Sequence, residues 1–137
     1  MRYFDASALV KRYVRERGSA KVRRLIAEGA ATSRLSEVEI ASALMRRARE
    51  RALSPAERDR ALVALRRDFP AFLAVELTPQ ITESAQELLS KYSLRSGDAI
   101  QLASCLFLQK QLRARVPFVG FDERLVEAAR NEGLSLR

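Results

Sequence analysis

The chain contains no histidine and no tryptophan, and Cys105 is its only cysteine. Without imidazole, an acid–base ribonuclease mechanism with paired histidines is excluded, as are a Ser-His-Asp triad and thiolate–imidazole zinc sites. One cysteine leaves no intrachain disulfide, which suits a reducing compartment. Cys105 lies in the apolar run LASCLFL and reads as a buried core thiol, because a reactive thiolate wants a polar, partly exposed setting. No stretch approaches the roughly 20 apolar residues that a spanning helix needs, and the N-terminus lacks the basic-then-apolar pattern of a secretory signal. A cytoplasmic protein without membrane association is expected. Any hydrolytic chemistry must then rest on carboxylates and a hard metal.

What is present fits one domain spanning residues 1–137: 47% of the 137 residues are apolar, enough to fill one core of ordinary size. The formal charge is +8, and arginine outnumbers lysine 21 to 4. Such a surface favours an anionic partner and attracts phosphate backbones through counterion release.

Strand-like segments at 2–5, 31–33, FLAVEL (72–77), VPFVGF (116–121) and LSL (134–136) alternate with helical patterns. The helices are expected at Ser7–Val14, Ser19–Glu28, Glu37–Arg51, Pro55–Arg67, Pro79 to about Tyr92, Gly97–Leu112 and Glu123–Asn131. Ser54-Pro55-Ala56-Glu57 and Thr78-Pro79 are helix starts, and Gly133 a helix stop. This alternation predicts an α/β fold with a short, mostly parallel sheet covered on both faces. In such a sheet ligands bind outside the strand C-termini, where the strand order reverses.

Three of the five aspartates stand at junctions of that kind. Asp5 follows the first strand, Asp122 follows VPFVGF, and Asp98 opens the helix GDAIQLASCLFL. Asp59 and Asp68 lie among arginines and read as solvated ion-pair partners. Glu39, in the first turn of the helix after TSRLS, joins the junction set. Singly, each has an ordinary explanation: Ser36-Glu37-Val38-Glu39 matches a capping box with Glu39 folded back onto the Ser36 amide, and the aspartates suit helix N-termini. Jointly, four carboxylates converging on one crevice repel each other unless a cation neutralises them. Oxygen ligands alone suit Mg²⁺ or Mn²⁺, which would activate water for in-line attack on a phosphodiester without histidine.

In order, YFDASALVKRYV, TSRLSEVEIASAL, LRSGDAIQLA and FVGFDERLVEAA resemble the PIN-domain nucleases, specifically the VapC-like toxins of bacterial and archaeal toxin–antitoxin pairs. The resemblance covers nearly the whole chain. It implies a three-layer α/β/α sandwich, Mg²⁺- or Mn²⁺-dependent endoribonuclease activity on RNA, inhibition by a cognate antitoxin, and pairing as a homodimer. By motif, Asp5, Glu39, Asp98 and Asp122 are implied as the metal-binding acids, with Glu123 the alternative to Asp122, and Ser7 as the hydroxyl supporting the site. Family members often carry histidine at Gln101, a departure that leaves the carboxylates untouched and is read as without catalytic consequence. The antitoxin would lay its C-terminal segment in a groove and point a basic side chain at the acids.

Two surfaces are candidates for partners. RRARERALSPAERDRALVALRR reads either as a solvated helical hairpin with ion pairs, such as Glu57 with Arg60, or as a surface for RNA or antitoxin. Leu9, Val10, Val14, Val22, Leu25 and Ile26 offer apolar surface for a docking helix, although most of it should be core. A different class of reading is a basic, non-catalytic RNA- or DNA-binding module whose acids are only caps. A receiver or haloacid-phosphatase protein also places an aspartate after its first strand, but Ser7 stands where the phosphatase needs a second aspartate, and no lysine follows VPFVGF as a receiver requires. An RNA-processing nuclease without an antitoxin is the remaining alternative.

Overall fold

The computed structural model describes residues 1–137. Its strands are β1 (Arg2–Phe4), β2 (Ala30–Ser33), β3 (Leu73–Val75) and β4 (Phe118–Val119). The helices are α1 (Ala6–Leu9), α2 (Ser19–Ile26), α3 (Ser36–Arg49), α4 (Pro55–Asp68), α5 (Pro79–Lys91), α6 (Ser96–Leu112) and α7 (Glu123–Asn131). All strand pairs are parallel and the order is β3-β2-β1-β4. The chain steps outward from β1 to β3 and then returns to the other side of β1. The order therefore reverses between β1 and β4, and their C-terminal ends flank a crevice.

β1, β2 and β4 are buried on both faces, so consecutive residues feed different cores, while β3 at the sheet edge leaves Leu73 exposed. Tyr3, Ala31, Val75 and Phe118 join Ile81, Leu102 and Leu125 from α5, α6 and α7. Phe4, Ala30 and Val119 join Leu9, Val22, Ile40 and Leu62 from α1 to α4. The result is the expected three-layer sandwich. Tyr3 stacks on Phe118 across the β1–β4 pair at 5.8 Å between ring centres. Cys105 is fully buried, and burial pushes its thiol up to about 12. It is a core residue, as its apolar run suggests.

Local signals read correctly where the cap chemistry is complete. Ser54 and Glu57 form the full capping box of α4, and Thr78 accepts from the Ile81 amide at the start of α5. Several expectations are corrected. FLAVEL yields three strand residues rather than six, because Phe69–Ala71 form a 3-10 turn and Glu76 turns out to meet Arg34. VPFVGF yields two, and LSL makes only the single bridge Phe118 to Leu136. The helix expected over Ser7–Val14 runs only to Leu9 and tightens into a 3-10 turn over Val10–Arg12.

The apolar set proposed for a docking helix is not available as surface. Leu9, Val10, Val14, Val22 and Leu25 are buried and Ile26 is partly buried, since they form the core under β1. Asp68 is not a solvated ion-pair partner either. Its side chain accepts from Arg12 Nε at 2.9 Å, Tyr13 Oη at 3.2 Å and Arg67 Nε at 2.9 Å, anchoring α4 to the 3-10 turn. Asp59 is exposed beside Arg58, as expected. Glu57 carries the capping box, and the Arg60 charge adds only a minor share to the lowering of its carboxyl.

Candidate metal centre

β1 ends at Phe4, and the next residue turns the chain into α1 at the crevice. Asp5 is 2% exposed and caps α1, its Oδ1 accepting from the Ala8 amide at 2.8 Å. Ser7 Oγ lies 2.9 and 2.8 Å from the two carboxylate oxygens and donates to them. Burial pushes the Asp5 carboxyl up to about 7, against the pull of the Ser7 and Ala8 donors and with the added push of the Asp98 and Glu39 charges. Capping therefore occupies Asp5 without explaining its environment. A plain cap needs neither deep burial nor negative neighbours.

Glu39 is not a cap. α3 starts at Ser36, and the hydroxyl of Ser36 is taken up with Thr32 Oγ1 at 2.7 Å and the Gln101 amide at 2.9 Å. Glu39 Oε1 instead accepts from Gln101 Nε2 at 2.8 Å. Burial raises the Glu39 carboxyl, the Gln101 donor lowers it and the Asp98 charge raises it. Asp98 stands in the first turn of α6, whose N-cap residue Arg95 contributes no side-chain cap. Burial raises it and the Asp122 charge adds to the rise, while Arg95 opposes both. Asp122 caps α7 through the Leu125 amide at 3.0 Å. Glu123 is exposed in the first turn of α7.

The four acids thus form one electrostatic neighbourhood, in which Asp98 is felt by both Asp5 and Glu39 and itself feels Asp122. No three carboxylates stand close enough to ligate one ion together. A hard cation of the Mg²⁺ type keeps several waters and needs only one or two carboxylates beside substrate phosphate. The oxygen-only donor set and the protonation pressure on Asp5 both point the same way, because a cation would relieve the crowding of negative charge.

Gln101 is the residue that sequence reasoning discounted. It is 1% exposed; its Oε1 accepts from Tyr3 Oη at 2.7 Å while its Nε2 reaches Ser36 and Glu39. One amide thereby links β1, α3 and α6. Gly97 was also passed over: a methyl group there would stand 2.9 Å from Glu39 Oε2, so the missing side chain makes room for the carboxylate. A polar residue on the buried face of an otherwise apolar helix was the one signal for Gln101.

Residues 2–131 match the PIN domain. The chain is 38% identical to proteins named Ribonuclease VapC45 and Ribonuclease VapC49, both from Mycobacterium tuberculosis, over 76% of this chain and 74% of each of theirs. Among solved structures it is similar to FitAcB from Neisseria gonorrhoeae, with a TM-score of 0.69 and 14% identity over 99% of this chain and 96% of that one. It is also similar to VapBC2 from Rickettsia felis bound to a DNA fragment from their promoter, with a TM-score of 0.67 and 12% identity over 100% and 98%. The chain belongs to the PIN domain family and, within it, to the VapC-like members.

Proposed function

We propose that the chain is a divalent-metal-dependent endoribonuclease and the toxin of a toxin–antitoxin pair. The observation that carries this reading is Asp5: a buried, twice-donated carboxylate at the reversal point of a parallel sheet, facing the charges of Glu39 and Asp98. Asp5, Glu39, Asp98 and Asp122 would line the site of Mg²⁺ or Mn²⁺, one or two of them as direct ligands and the others through water. Activation of that water and neutralisation of the leaving oxygen are the chemistry such an ion supplies when bound. The chain's own part is orientation. Ser7 and the Ala8 amide fix the Asp5 carboxylate, Gln101 fixes Glu39, and Gly97 leaves room for it. The chain's net charge of +8, which already counts these four acids, favours binding of the RNA backbone around the cut.

The relatives named as ribonucleases support RNA as the substrate, and similarity to a toxin–antitoxin complex from Klebsiella pneumoniae, with a TM-score of 0.61 and 17% identity, supports a protein inhibitor. A cavity of about 430 Å³ lined by Arg12, Arg15, Arg23, Arg60 and Arg67 against Glu57 and Asp68 is a candidate groove for that inhibitor. Pairing of two copies of the chain belongs to the same reading. The deciding experiment treats total cellular RNA with purified protein in Mg²⁺ or Mn²⁺, in EDTA, and with Asp5→Asn. Discrete fragments that need both metal and Asp5 are expected. Binding without cleavage under every condition would favour a basic, non-catalytic module whose acids are caps.

A further inference from the structure

Phe121 is the only aromatic side chain of the chain that is exposed, at 39%, and it immediately precedes Asp122 at the mouth of the crevice. Two cations surround it: Lys11 Nζ lies 4.7 Å and Lys21 Nζ 6.0 Å from the ring centre. Lysine is scarce here, four residues against 21 arginines, so the meeting of two of the four at one ring does not follow from composition. The arrangement is built rather than loose. Gly18 adopts φ +92°, and a methyl group on it would stand 2.9 Å from Phe121 Cε1 and 3.2 Å from Lys11 Cδ, so ring and lysine rest on bare backbone. Lys11 is held in place by Glu16 Oε1 at 3.2 Å and the Arg17 carbonyl at 2.8 Å, whereas Lys21 forms no ion pair.

The platform sits beside the acids by topology. Asp5 donates its amide to Val119 at 3.2 Å, Lys11 lies one to two turns beyond Asp5, and Phe121 is two residues beyond Val119. An exposed ring flanked by cations is the combination by which proteins hold single-stranded nucleic acid, with the base on the aromatic face and the backbone on the positive charge. We infer that Phe121 and Lys21 seat one nucleotide of a single-stranded RNA next to the acidic crevice, its base on the ring and its phosphate at the Lys21 ammonium, while Lys11, paired with Glu16, braces the ring. This rests on the proposed reading of RNA as substrate, and it assigns where the strand lies relative to the cut.

The test uses the full chain carrying Asp5→Asn, with EDTA, so that RNA is bound and not cut. The probe is a single-stranded RNA of mixed sequence with 2-aminopurine placed at successive positions. Quenching at one position is expected. Phe121→Leu keeps the apolar bulk but removes the flat face; it should lose the quench and weaken binding roughly five- to fifty-fold, while Phe121→Tyr restores both. Lys21→Gln should reduce the slope of log affinity against log salt. Unchanged affinity and quench in Phe121→Leu overturn the seat, as does an Asp5→Asn chain that binds no RNA. If the wild type cuts RNA with metal and Phe121→Leu leaves KM unchanged, the seat fails and the nuclease reading stands. Quenching that depends on Phe121 in a protein that never cuts would leave the seat and remove the nuclease.

Discussion

Gln101 Nε2 donates to Glu39 Oε1 at 2.8 Å, so a residue on α6 sets the direction of a carboxylate on α3. The same amide is pinned by Tyr3 and Ser36, which leaves it no freedom to turn. Gln101→Leu should destabilise the protein by about 1–3 kcal/mol, because the buried Tyr3 hydroxyl loses its acceptor. Gln101→Glu keeps an acceptor for Tyr3 but places a second carboxylate against Glu39, raising the pH at which Glu39 ionises. Denaturant unfolding and a cleavage rate profile against pH check both. The expected result for Gln101→Glu is a metal-supported rate whose rise is displaced to higher pH, and a profile that stays in place would show that Gln101 does not govern Glu39.

Gly97→Ala separates function from stability. The added methyl group would meet Glu39 Oε2 at 2.9 Å, and that oxygen is the far end of a flexible side chain, so the carboxylate gives way rather than the backbone. Alanine is also favoured over glycine inside a helix by about 1 kcal/mol. The variant should unfold at an equal or higher denaturant midpoint, yet need more Mn²⁺ for half-maximal cleavage. Unaltered metal dependence would mean that Glu39 is not a ligand.

Much of the site was legible because its acids sit where apolar strand gives way to helix. Asp5 ends an apolar tripeptide, and Asp98 precedes Leu102 and Cys105 on the face that α6 buries completely. Glu39 was ambiguous in sequence, since Ser36 and Glu39 have capping-box spacing; the ambiguity ends only because the Ser36 hydroxyl is taken by Thr32 and Gln101. Gln101 showed only as a polar residue on a buried helix face; its role was not legible, for its partner Tyr3 lies 98 positions away and no local pattern encodes that bond. The layers were readable from alternation of strand and helix. Strand lengths were not, because a parallel strand stops where its neighbours stop, and β4 has only β1 and one bridge to pair with.

Asp5 gives a pH dependence with a definite sign. Its folded carboxyl titrates at about 7, above the ordinary carboxylate range, so between about pH 4 and 7 the folded state binds more protons than the unfolded one. Stability of the metal-free protein should therefore fall as pH rises through this window and level off above it, by at most about 4 kcal/mol from this group. Asp5→Asn removes the ionisable group and should flatten that part of the curve while abolishing cleavage. Urea unfolding in EDTA from pH 4 to 9 measures it. Mn²⁺ should restore stability most strongly at the upper end, where the carboxylate it needs is already ionised.

Asp68 and Asp59 lie on the same helix but should behave oppositely. Burial pushes the Asp68 carboxyl up, yet the donors Arg67, Arg12 and Tyr13 together hold it below its usual range, and its side chain is only 13% exposed. A depressed folded pKa contributes stability above the unfolded value, and that contribution is lost as pH falls through the folded one. Asp68→Ala leaves the Arg12 and Tyr13 groups without their acceptor and frees α4 from the turn after α1, so it should destabilise by about 1–3 kcal/mol at neutral pH. The loss should shrink below about pH 4, where the wild-type carboxyl also becomes neutral. Asp59→Asn alters an exposed pair with Arg58 and should stay within about 0.5 kcal/mol. Neither residue belongs to the crevice, so RNA cleavage per folded molecule should survive both substitutions. Loss of cleavage in a fully folded Asp59→Asn protein would place the chemistry on α4 and away from Asp5.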